Sequence, residues 1–525
     1  MTTEIGPRPA HGRPGPPPSI GPRAVVVGLL TAGAAVAVAH LVAGVLNPAA
    51  DPVLAVGAAA IDLAPQPVKA FAIRTFGTAD KLVLVAAVHA VLAAASVIIG
   101  TAALRRRRYG VIGLAAFTVI GIVAVLTRPT AVAVDATPTI AGAVAGALAM
   151  LALVRSAGTV AVSSTGRPRL LNRRQFLTTS AATALSAAAA ATAGRALGVN
   201  RGVGTRSRAT VRIPAPASPA PPLPASVRTD VDGVSPFHTT NRDFYRVDTA
   251  LTVPQVDVDR WRLTLGGAVR RPRSWRFEEL LARELIERDI TLNCVSNEVG
   301  GPYIGTARWT GVPLAPLLRE AGLEVGPDQL VSRSVDGMTI GTPLRAVLDG
   351  RDAMLVVAMN GEPLPLEHGF PVRMLVPGLY GYVGACKWLT ELEITTFAAY
   401  DAYWVRRGWA ADAPVKTASR VDTPRPFARR LAGPVMIAGV AWAQRRGISA
   451  VEIQVDDEPW RQARLAGGPS PDLWRQWSYR WDATPGSHTI RVRATDAAGA
   501  TQTEERAAPF PSGATGWHNV TVTIT

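Results

Sequence analysis

The chain has 525 residues, enough for several domains, and 48% of them are hydrophobic. Together with a positive mean hydropathy of +0.19, this composition is too apolar for a purely soluble protein and implies a membrane portion. The net charge is +16, but the arginines lie in clusters beside apolar runs, with few aromatic residues between them. This arrangement is typical of membrane topology signals and charged linkers, and it argues against nucleic-acid binding.

The N-terminal part predicts a disordered tail followed by a transmembrane α-helical bundle. Residues 1–22 are rich in proline and glycine and cannot bury enough apolar surface to fold, so they are predicted to be a disordered cytoplasmic tail. Residues 23–156 contain apolar runs close to the roughly 20 residues that cross a bilayer, which predicts a four-helix transmembrane region. The four runs are residues 24–46, 82–104, 110–126 and 140–154. Residues 51–81, interrupted by prolines, predict an extracytoplasmic loop with an interfacial helix.

Arginine clusters orient these helices. Positive residues concentrate in cytoplasmic loops, and the clusters lie at residues 105–108 and 155–174. With both clusters on the cytoplasmic side, the four helices alternate in direction, and the chain is back in the cytoplasm at residue 155.

Residues 157–198 are predicted to be a twin-arginine-like segment and a fifth transmembrane helix. Arg173 and Arg174 precede Phe-Leu and an alanine-rich run, which resembles a twin-arginine export signal placed inside the chain. An ordinary fifth span with flanking positive charge is the alternative. Both interpretations predict a multi-pass protein of the cell membrane with an extracytoplasmic C-terminal part. Cleavage after Ala193 is left open, and residues 199–234, which alternate arginine with proline, alanine and serine, predict an extended flexible linker.

A lone cysteine then follows a short apolar run. Residues 289–292 deliver Cys294 into a glycine-rich loop, and a helical pattern begins only at Leu314, so the thiol is predicted to lie at the end of a strand. With no second cysteine or histidine at zinc spacing, a single soft thiolate suits a metal that brings most of its own ligands. The other cysteine is Cys386, and a disulfide between the two is the alternative in an exported protein.

Two blocks resemble a known family. Residues 292–297, Leu-Asn-Cys-Val-Ser-Asn, followed by Gly-Thr-Ala-Arg-Trp-Thr-Gly at 305–311, resemble the molybdenum-ligating loop of the sulfite oxidase family, and residues 368–389 resemble its pterin-binding signature. The resemblance implies an α+β molybdopterin domain over residues 235–425, with one molybdenum bound by one molybdopterin and by Cys294. It also implies two-electron oxygen-atom transfer. Export of an already folded protein suits a cofactor that is inserted in the cytoplasm.

The same resemblance assigns cofactor-binding residues. They are Asn241, Tyr245, Arg246, Ser334, Asp336, His368, Arg373, Gly381, Gly384 and Lys387. The terminal phosphate of a pyranopterin needs fixed donors and close backbone approach, which Arg373, Lys387 and the two glycines can supply, and His368 can donate through a ring nitrogen. The alternatives are a polar turn anchored by Phe244 for the first three residues and an Asp-Gly turn for Ser334 and Asp336.

Two departures from animal sulfite oxidases concern the substrate. Glu298 and Val299 stand where those enzymes have arginines that help to bind an anion, and no tyrosine lies at residues 338–340. An acidic residue at the mouth of the site would repel sulfite. Arg406 and Arg407, matching the family's arginine pair, are the predicted catalytic residues beside the metal cysteine. We therefore expect a small-molecule oxo donor or acceptor of sulfite, sulfoxide or N-oxide type.

Residues 426–525 change to short alternating strands separated by turn residues, which predicts a β-sandwich of about 100 residues. This part resembles the immunoglobulin-like dimerisation domain that follows the molybdenum domain in sulfite oxidase relatives. The resemblance implies a role in assembly, as a homodimer, and not in chemistry.

Electrons are expected to pass to a separate carrier, either a cytochrome or a quinone-linked protein, or through the membrane. His40 and His89 lie at similar depth in the first two helices and could ligate a haem b, while hydrogen bonds at a helix interface are the alternative. A competing class of function is a cell-surface binding protein or receptor whose molybdopterin domain has degenerated.

Overall fold

The computed structural model describes residues 21–76, 80–157, 171–200 and 202–525. It separates into two compact units, residues 1–201 and residues 202–525. The predicted disordered tail, apart from its last two positions, lies outside the described residues. So do residues 158–170, which contain part of the second predicted arginine cluster and of the twin-arginine-like segment.

The N-terminal unit consists of helices. They are α1 (Pro22–Leu46), α2 (Pro52–Leu63), α3 (Gln66–Phe76), α4 (Asp80–Arg105), α5 (Arg107–Leu126), α6 (Thr137–Ser156) and α7 (Leu171–Asn200). Among the described residues, five helices are long and apolar enough to cross a membrane, namely Pro22–Leu46, Lys81–Arg105, Arg107–Leu126, Ala133–Ser156 and Arg174–Leu197. They coincide with the four predicted spans and the fifth. With 12 and 11 residues, α2 and α3 are too short to span, as expected for residues 51–81.

Glycines bring two of the long helices into backbone contact. Where α1 crosses α4, a Cβ added to Gly28 would lie 2.1 Å from the carbonyl oxygen of Ser96, and one added to Gly100 would lie 2.4 Å from that of Ala24. No residue with a side chain fits at either position without moving a helix. A Cβ on Gly33, also in α1, would meet nothing within 4 Å, so the close approach belongs to one face of the helix.

Among the described helices of this unit, His40 and His89 each have a protein partner. Nδ1 of His40 lies 2.9 Å from a carboxylate oxygen of Asp51, and Nδ1 of His89 lies 2.8 Å from the carbonyl oxygen of Val85 in its own helix. The bond of His40 joins two segments, as the alternative to haem ligation predicts, whereas the bond of His89 stays within one helix. Each ring keeps a second nitrogen, so the haem stays a prediction.

The C-terminal unit begins with a mixed α+β domain. Its elements in chain order are α8 (Val203–Thr210), β1 (Arg262–Gly267), β2 (Arg273–Arg276), α9 (Phe277–Leu281), β3 (Ile286–Asn293), β4 (Ile304–Pro313), α10 (Leu314–Ala321), β5 (Gln329–Ser334), β6 (Thr339–Pro343), α11 (Leu344–Leu348), β7 (Met354–Met359), β8 (Glu362–Pro363), β9 (Arg373–Leu375), α12 (Gly381–Gly384) and β10 (Leu389–Thr395). One sheet has the strand order β2-β1-β10-β5-β6, and the other β3-β4-β7-β8, with β9 also paired to β7. Buried side chains from both sheets form one hydrophobic core, in agreement with the predicted α+β class.

The chain ends in a β region that we call the C-terminal β region, residues 418–525. Its strands are β11 (Ala418–Thr423), β12 (Arg429–Arg430), β13 (Gly433–Trp442), β14 (Ile448–Val455), β15 (Arg461–Gln462), β16 (Arg464–Leu465), β17 (Arg475–Ala483), β18 (Gly486–Asp496) and β19 (His518–Ile524). Two sheets, β11-β13-β17-β16 and β12-β19-β18-β14-β15, share a second hydrophobic core. The alternating strands predicted from the sequence are confirmed. Because β11 pairs with β13, the region begins before the predicted boundary at residue 426.

Residues 199–234 differ from the flexible linker predicted there. Helix α8 lies in this stretch, Val211 and Val227 are buried in the core of the C-terminal unit, and Arg208 donates to the carbonyl oxygen of Pro363. Composition indicated an extended spacer. However, scattered apolar residues within the proline-rich sequence pack on the domain, so most of the stretch belongs to the C-terminal unit.

Candidate active site

Cys294 is the first residue after β3, at the end of a strand as predicted. It is 8% exposed, and both the backbone N–H and the hydroxyl group of Ser296 donate to its sulfur. Burial raises the pKa of the thiol above its usual value. The same donors would stabilise the thiolate once a metal cation replaces the proton, which suits a ligand position.

Neither of the two cysteines forms a disulfide. Cys294 and Cys386 are both free and buried, and burial raises the pKa of Cys386 to about 12. The alternative of a disulfide between them is therefore wrong. Cys386 is an inert, buried thiol of the second sequence block.

The β3–β4 hairpin determines where the Cys294 thiol lies. Its register ends with Asn293 opposite Ile304, and we call the connecting residues 294–303 the thiol loop. The backbone N–H of Cys294 donates to the carbonyl oxygen of Tyr303 at 3.0 Å, which closes the loop at its base. The sulfur is thus carried by a closed loop on a rigid hairpin.

One buried cation, Lys387, lies near the thiol, and a second, Arg373, lies close to Lys387. Arg373 is 6% exposed, and the positive charge of Lys387 acts on Cys294 and opposes the rise in its pKa. Gly369 has φ +111°, and a Cβ added there would lie 3.0 Å from Cβ of Lys387 and 3.2 Å from Cβ of Arg373. Only glycine therefore allows the backbone to pass between these two side chains.

A carboxylate that was not predicted from the sequence pairs with Lys387 and with Arg246. Asp248 lies 2.6 Å from Nζ of Lys387 and 2.8 Å from Nε of Arg246. Burial lowers the pKa of Lys387 to about 8 and that of Arg373 to about 10, while Asp248 opposes the fall for Lys387. We call Arg246, Arg373 and Lys387 the cationic pocket. Its position two residues after Arg246 was the feature of the sequence that could have indicated Asp248 as an ion-pair partner.

His368 connects the cationic pocket to Asn241. Its Nε2 lies 2.9 Å from the backbone carbonyl oxygen of Asn241, and burial lowers the pKa of His368 to about 4. A carbonyl only accepts, so the neutral ring carries its proton on Nε2 and leaves Nδ1 as an acceptor. From the sequence, a donor to the pterin or its phosphate was expected here, whereas this state of the ring offers an acceptor.

The side chain of Asn241 is itself fixed. It accepts from Nδ2 of Asn360 at 2.9 Å and donates to the carbonyl oxygen of Met359 at 3.2 Å. Asn241 also lines an open groove of about 640 Å³ with His238 and Arg308. Of the predicted site residues, that groove contains Asn241 alone, so it is distinct from the space beside Cys294.

Three buried polar atoms in this part of the molecule have no hydrogen-bond partner among the described residues. One is Oδ1 of Asn293, next to Cys294, and the other two are Oγ of Ser334 and Nε of Arg373. Ser334 lies opposite Leu389 in the sheet, two positions from Lys387 in sequence. Such atoms are costly to leave unsatisfied, so their place beside the cationic pocket favours a polar ligand.

Tyr245 lies in the same neighbourhood, as predicted. Burial raises the pKa of its hydroxyl, the Cys294 side chain raises it further, and the guanidinium of Arg373 opposes the shift. The neighbouring Phe244 is buried and stacks on Tyr245, with ring centroids 5.1 Å apart. Phe244 is therefore the core anchor that the alternative predicted, and the adjacent Tyr245 can still face the site.

The glycines and the aspartate of the prediction divide into two groups. A Cβ on Gly381 would meet nothing closer than 3.9 Å, which leaves room for a ligand, whereas one on Gly384 would lie 3.1 Å from the carbonyl oxygen of Val376. Gly384 is thus explained by packing of the protein itself. Asp336 accepts from the backbone N–H of Met338 at 3.2 Å, which is the turn offered as its alternative role.

Tyr380 is a further buried residue near Cys294 that was not predicted from the sequence. It is 4% exposed, and its pKa is raised to about 12 by burial, with a further contribution from Cys294. Its hydroxyl accepts the backbone N–H of Lys416 at 3.4 Å. The surrounding run was interpreted through Gly381 and Gly384, and Tyr380, which directly precedes Gly381, was left unassigned.

The predicted catalytic arginines have other contacts. Arg407 lies over the ring of Tyr403 at 3.5 Å and donates to the carbonyl oxygen of that residue, and Arg406 is exposed. Their catalytic role therefore stays a prediction. Residues 338–340 lack a tyrosine, but the hydroxyl of Tyr400 lies 3.2 Å from Oγ1 of Thr339, so a phenol reaches this segment from another part of the chain.

Comparison with protein families gives this site its context. Residues 250–404 match the family described as the oxidoreductase molybdopterin binding domain. The chain carries a molybdopterin-binding domain of the sulfite oxidase family. Cys294 and the residues from Ser334 to Lys387 lie inside the matched range, whereas Asn241, Tyr245 and Arg246 precede it.

Curated relatives agree with this assignment. Mitochondrial sulfite oxidase of Homo sapiens is 28% identical over 289 residues, which cover 46% of this chain and 53% of that protein. Sulfite oxidase of Gallus gallus is 29% identical over 293 residues, covering 47% and 63%. The chain spans about half the length of the mammalian relatives. Among solved structures, the sulfane dehydrogenase SoxCD from Paracoccus pantotrophus is similar with a TM-score of 0.46 and 24% identity, over 51% of this chain and 75% of that one.

The residues beside Cys294 fit the cofactor of a sulfite oxidase-type domain. A buried thiol with two hydrogen-bond donors suits a metal ligand, and the cationic pocket suits a phosphate. Two of the unsatisfied atoms, Oγ of Ser334 and Nε of Arg373, give a polar pterin partners that the protein leaves free.

Proposed function

We propose that this chain is a membrane-anchored, extracytoplasmic molybdenum-molybdopterin oxidoreductase that catalyses two-electron oxygen-atom transfer. The observation that carries the proposal is the free, buried thiol of Cys294 placed next to the cationic pocket. The five membrane-competent helices and the arginine clusters support anchoring with the catalytic unit outside.

Each residue of the site has a distinct role in this proposal. Cys294 would bind the metal, Arg373 and Lys387 would bind the pterin phosphate, and Ser334 would satisfy a polar edge of the pterin. The bound cofactor supplies the change of metal oxidation state that accompanies oxygen transfer. Asn241 and His368 hold each other and set one wall of the pocket.

For the substrate, we propose a small oxo donor or acceptor of sulfite, sulfoxide or N-oxide type. Glu298 is exposed at the tip of the thiol loop, and its negative charge disfavours a dianion such as sulfite. The neighbouring Val299 offers no compensating donor. Neutral sulfoxides or N-oxides therefore suit the loop better than sulfite does, with Arg406 and Arg407 as proposed contributors.

Electron transfer and assembly complete the proposal. A cytochrome or quinone-linked carrier would exchange electrons with the site, and the C-terminal β region would pair two copies in the manner of an immunoglobulin-like dimerisation domain. A haem b bound by His40 and His89 is a second route for electrons. A Soret band in the purified protein, absent from a His40→Ala variant, is the result expected if that haem exists.

The decisive experiment is elemental analysis of the purified protein with fluorescence detection of oxidised pterin. We expect about one molybdenum per chain, and we expect a Cys294→Ser variant to remain folded without oxygen-atom transfer above background. A well-folded wild-type protein without molybdenum or pterin would instead support a cell-surface binding protein with a degenerate domain. Full activity of the serine variant would refute the role of Cys294.

A further inference from the structure

The thiol loop is held by more than its own hydrogen bonds. Within it, Asn297 donates its backbone N–H to the carbonyl oxygen of Cys294 at 3.1 Å, and its side-chain oxygen accepts from the N–H of Tyr303 at 2.8 Å. These bonds define the base of the loop. Its tip, which contains Gly300 and Gly301, contacts the C-terminal β region.

Arg420 on β11 binds the tip directly. Its Nη1 donates to the carbonyl oxygen of Gly301 at 2.7 Å, its Nε to Asp422 at 2.6 Å, and its Nη2 to the hydroxyl of Ser235 at 2.8 Å. The residue is 9% exposed. A buried guanidinium with all these partners is fixed in one orientation, so it gives the loop carbonyl a rigid donor.

His518 on β19 presses on the neighbouring glycine. Gly300 has φ +79°, and a Cβ added there would lie 2.2 Å from the His518 ring. Nδ1 of His518 accepts the backbone N–H of Val421 at 3.0 Å, so the ring is anchored to the strand that also carries Arg420. The tip of the loop therefore fits against a preformed surface.

The strand that leads to the loop has the same anchorage. Thr291, three positions before Cys294, donates its backbone N–H to the carbonyl oxygen of Asp472 at 3.0 Å, and its hydroxyl accepts the N–H of Trp474 at 2.8 Å. Both the approach to Cys294 and the segment after it are thus bound to the C-terminal β region. The thiol lies between two anchored points.

We propose that Arg420 and His518 are positioning residues that hold the thiol loop and thereby fix the place of the Cys294 sulfur. The C-terminal β region is then part of the metal site and not only a unit of assembly. The proposal depends on the proposed function only for what the sulfur binds, because the contacts themselves concern the protein alone.

The second cysteine, Cys386, is an internal control for testing the positioning role. In full-length protein purified in detergent from a host that makes no molybdopterin, both thiols are free for alkylation, and peptide mass spectrometry separates Cys294 from Cys386. In Arg420→Met and His518→Leu variants we expect alkylation of Cys294 to speed up at least about tenfold, with Cys386 unchanged. Equal acceleration of both thiols, or none, would overturn the proposal.

Matched variants exclude general loosening of the β region. Arg475 also donates to backbone carbonyls, at Ala466 and Ile448, but only within that region, so Arg475→Met should leave the rate at Cys294 unchanged. His518→Asn keeps an acceptor for the backbone N–H and should stay close to wild type. Failure of either expectation would show that the effect is not specific to the loop.

A glycine pair gives an independent test. Gly300 and Gly499 have similar positive φ values, +79° and +88°, but a Cβ on Gly499 would meet nothing within 4 Å. Gly300→Ala should therefore expose Cys294 to alkylation and lower the molybdenum content, while Gly499→Ala should do neither. If wild-type protein contains no molybdenum, the proposed function fails, but the alkylation rates still test the positioning role.

Discussion

At the scale of single residues, the chemistry of the pocket depends on the balance between burial and one carboxylate. Lys387 is buried and would lose its proton easily, but Asp248 at 2.6 Å favours the charged form. The resulting pKa of about 8 leaves the ammonium mostly charged at neutral pH. Because this pKa is lower than that of an ordinary lysine, the charge disappears as the pH rises through about 8.

Cofactor capture should therefore weaken in alkaline solution. Taking cofactor-free protein from pH 7 to pH 9, we expect the affinity for molybdopterin to fall by up to about tenfold, because only about a tenth of Lys387 stays charged at the higher pH. The measurement is the fraction of protein reconstituted at each pH. A Lys387→Gln variant should bind more weakly and show a flat profile over this range; a profile identical to wild type would contradict the role of Lys387.

Asp248→Asn should move the same profile. Removing the carboxylate takes away the charge that raises the pKa of Lys387, so the midpoint of capture should shift to lower pH. Reconstitution measured between pH 6 and pH 9 would detect the shift. An unchanged midpoint would mean that Asp248 acts only through Arg246.

At the scale of elements, the helical unit depends on backbone contact between α1 and α4. Gly28 and Gly100 lie where a Cβ would overlap a carbonyl oxygen of the other helix, whereas Gly33 faces open space. Because membrane helices associate through close packing, the first two positions should be intolerant of larger residues and the third tolerant.

The corresponding experiment compares three leucine substitutions. Gly28→Leu and Gly100→Leu should each destabilise the protein by about 1–3 kcal/mol, the usual cost of overpacking, while Gly33→Leu should have little effect. Thermal unfolding in detergent, followed by size-exclusion chromatography, measures the difference. Equal stability of all three variants would show that α1 and α4 do not meet as described.

At the scale of the whole molecule, the number of spans decides which side the catalytic unit occupies. Five membrane-competent helices are present among the described residues, and the turn between α4 and α5 carries the arginine cluster at residues 105–108. With that turn in the cytoplasm and an odd number of crossings, the end of α7 would lie outside, as the export proposal requires.

Labelling with a membrane-impermeant maleimide tests this topology. Asp457 has a side chain that is 99% exposed, so Asp457→Cys should react in intact spheroplasts, and Arg106→Cys should react only after permeabilisation. The buried native thiols provide a low background. The reverse pattern would place the catalytic unit in the cytoplasm and refute the export proposal.

Features set by local sequence could be predicted, whereas those set by contacts between distant residues could not. The place of Cys294 at the end of a strand followed from a short apolar run and a glycine-rich loop, and the strands after residue 430 followed from alternation, because both signals are local. Asp248 and Arg420 act on residues more than 100 positions away, Lys387 and Gly301. No local pattern reports such contacts. The linker was misjudged for the same reason, since the partners of Val211 and Val227 lie elsewhere in the chain.

The burial of both sulfur atoms would have a consequence for a catalytic unit that is exported as proposed. Secretory compartments contain enzymes that capture accessible thiols and convert them to disulfides. A chain that crosses the membrane already folded hides Cys294 and Cys386 from those enzymes. The rate at which the Cys294 thiol is oxidised would then depend on how often the surrounding polypeptide opens, and not on the redox potential outside.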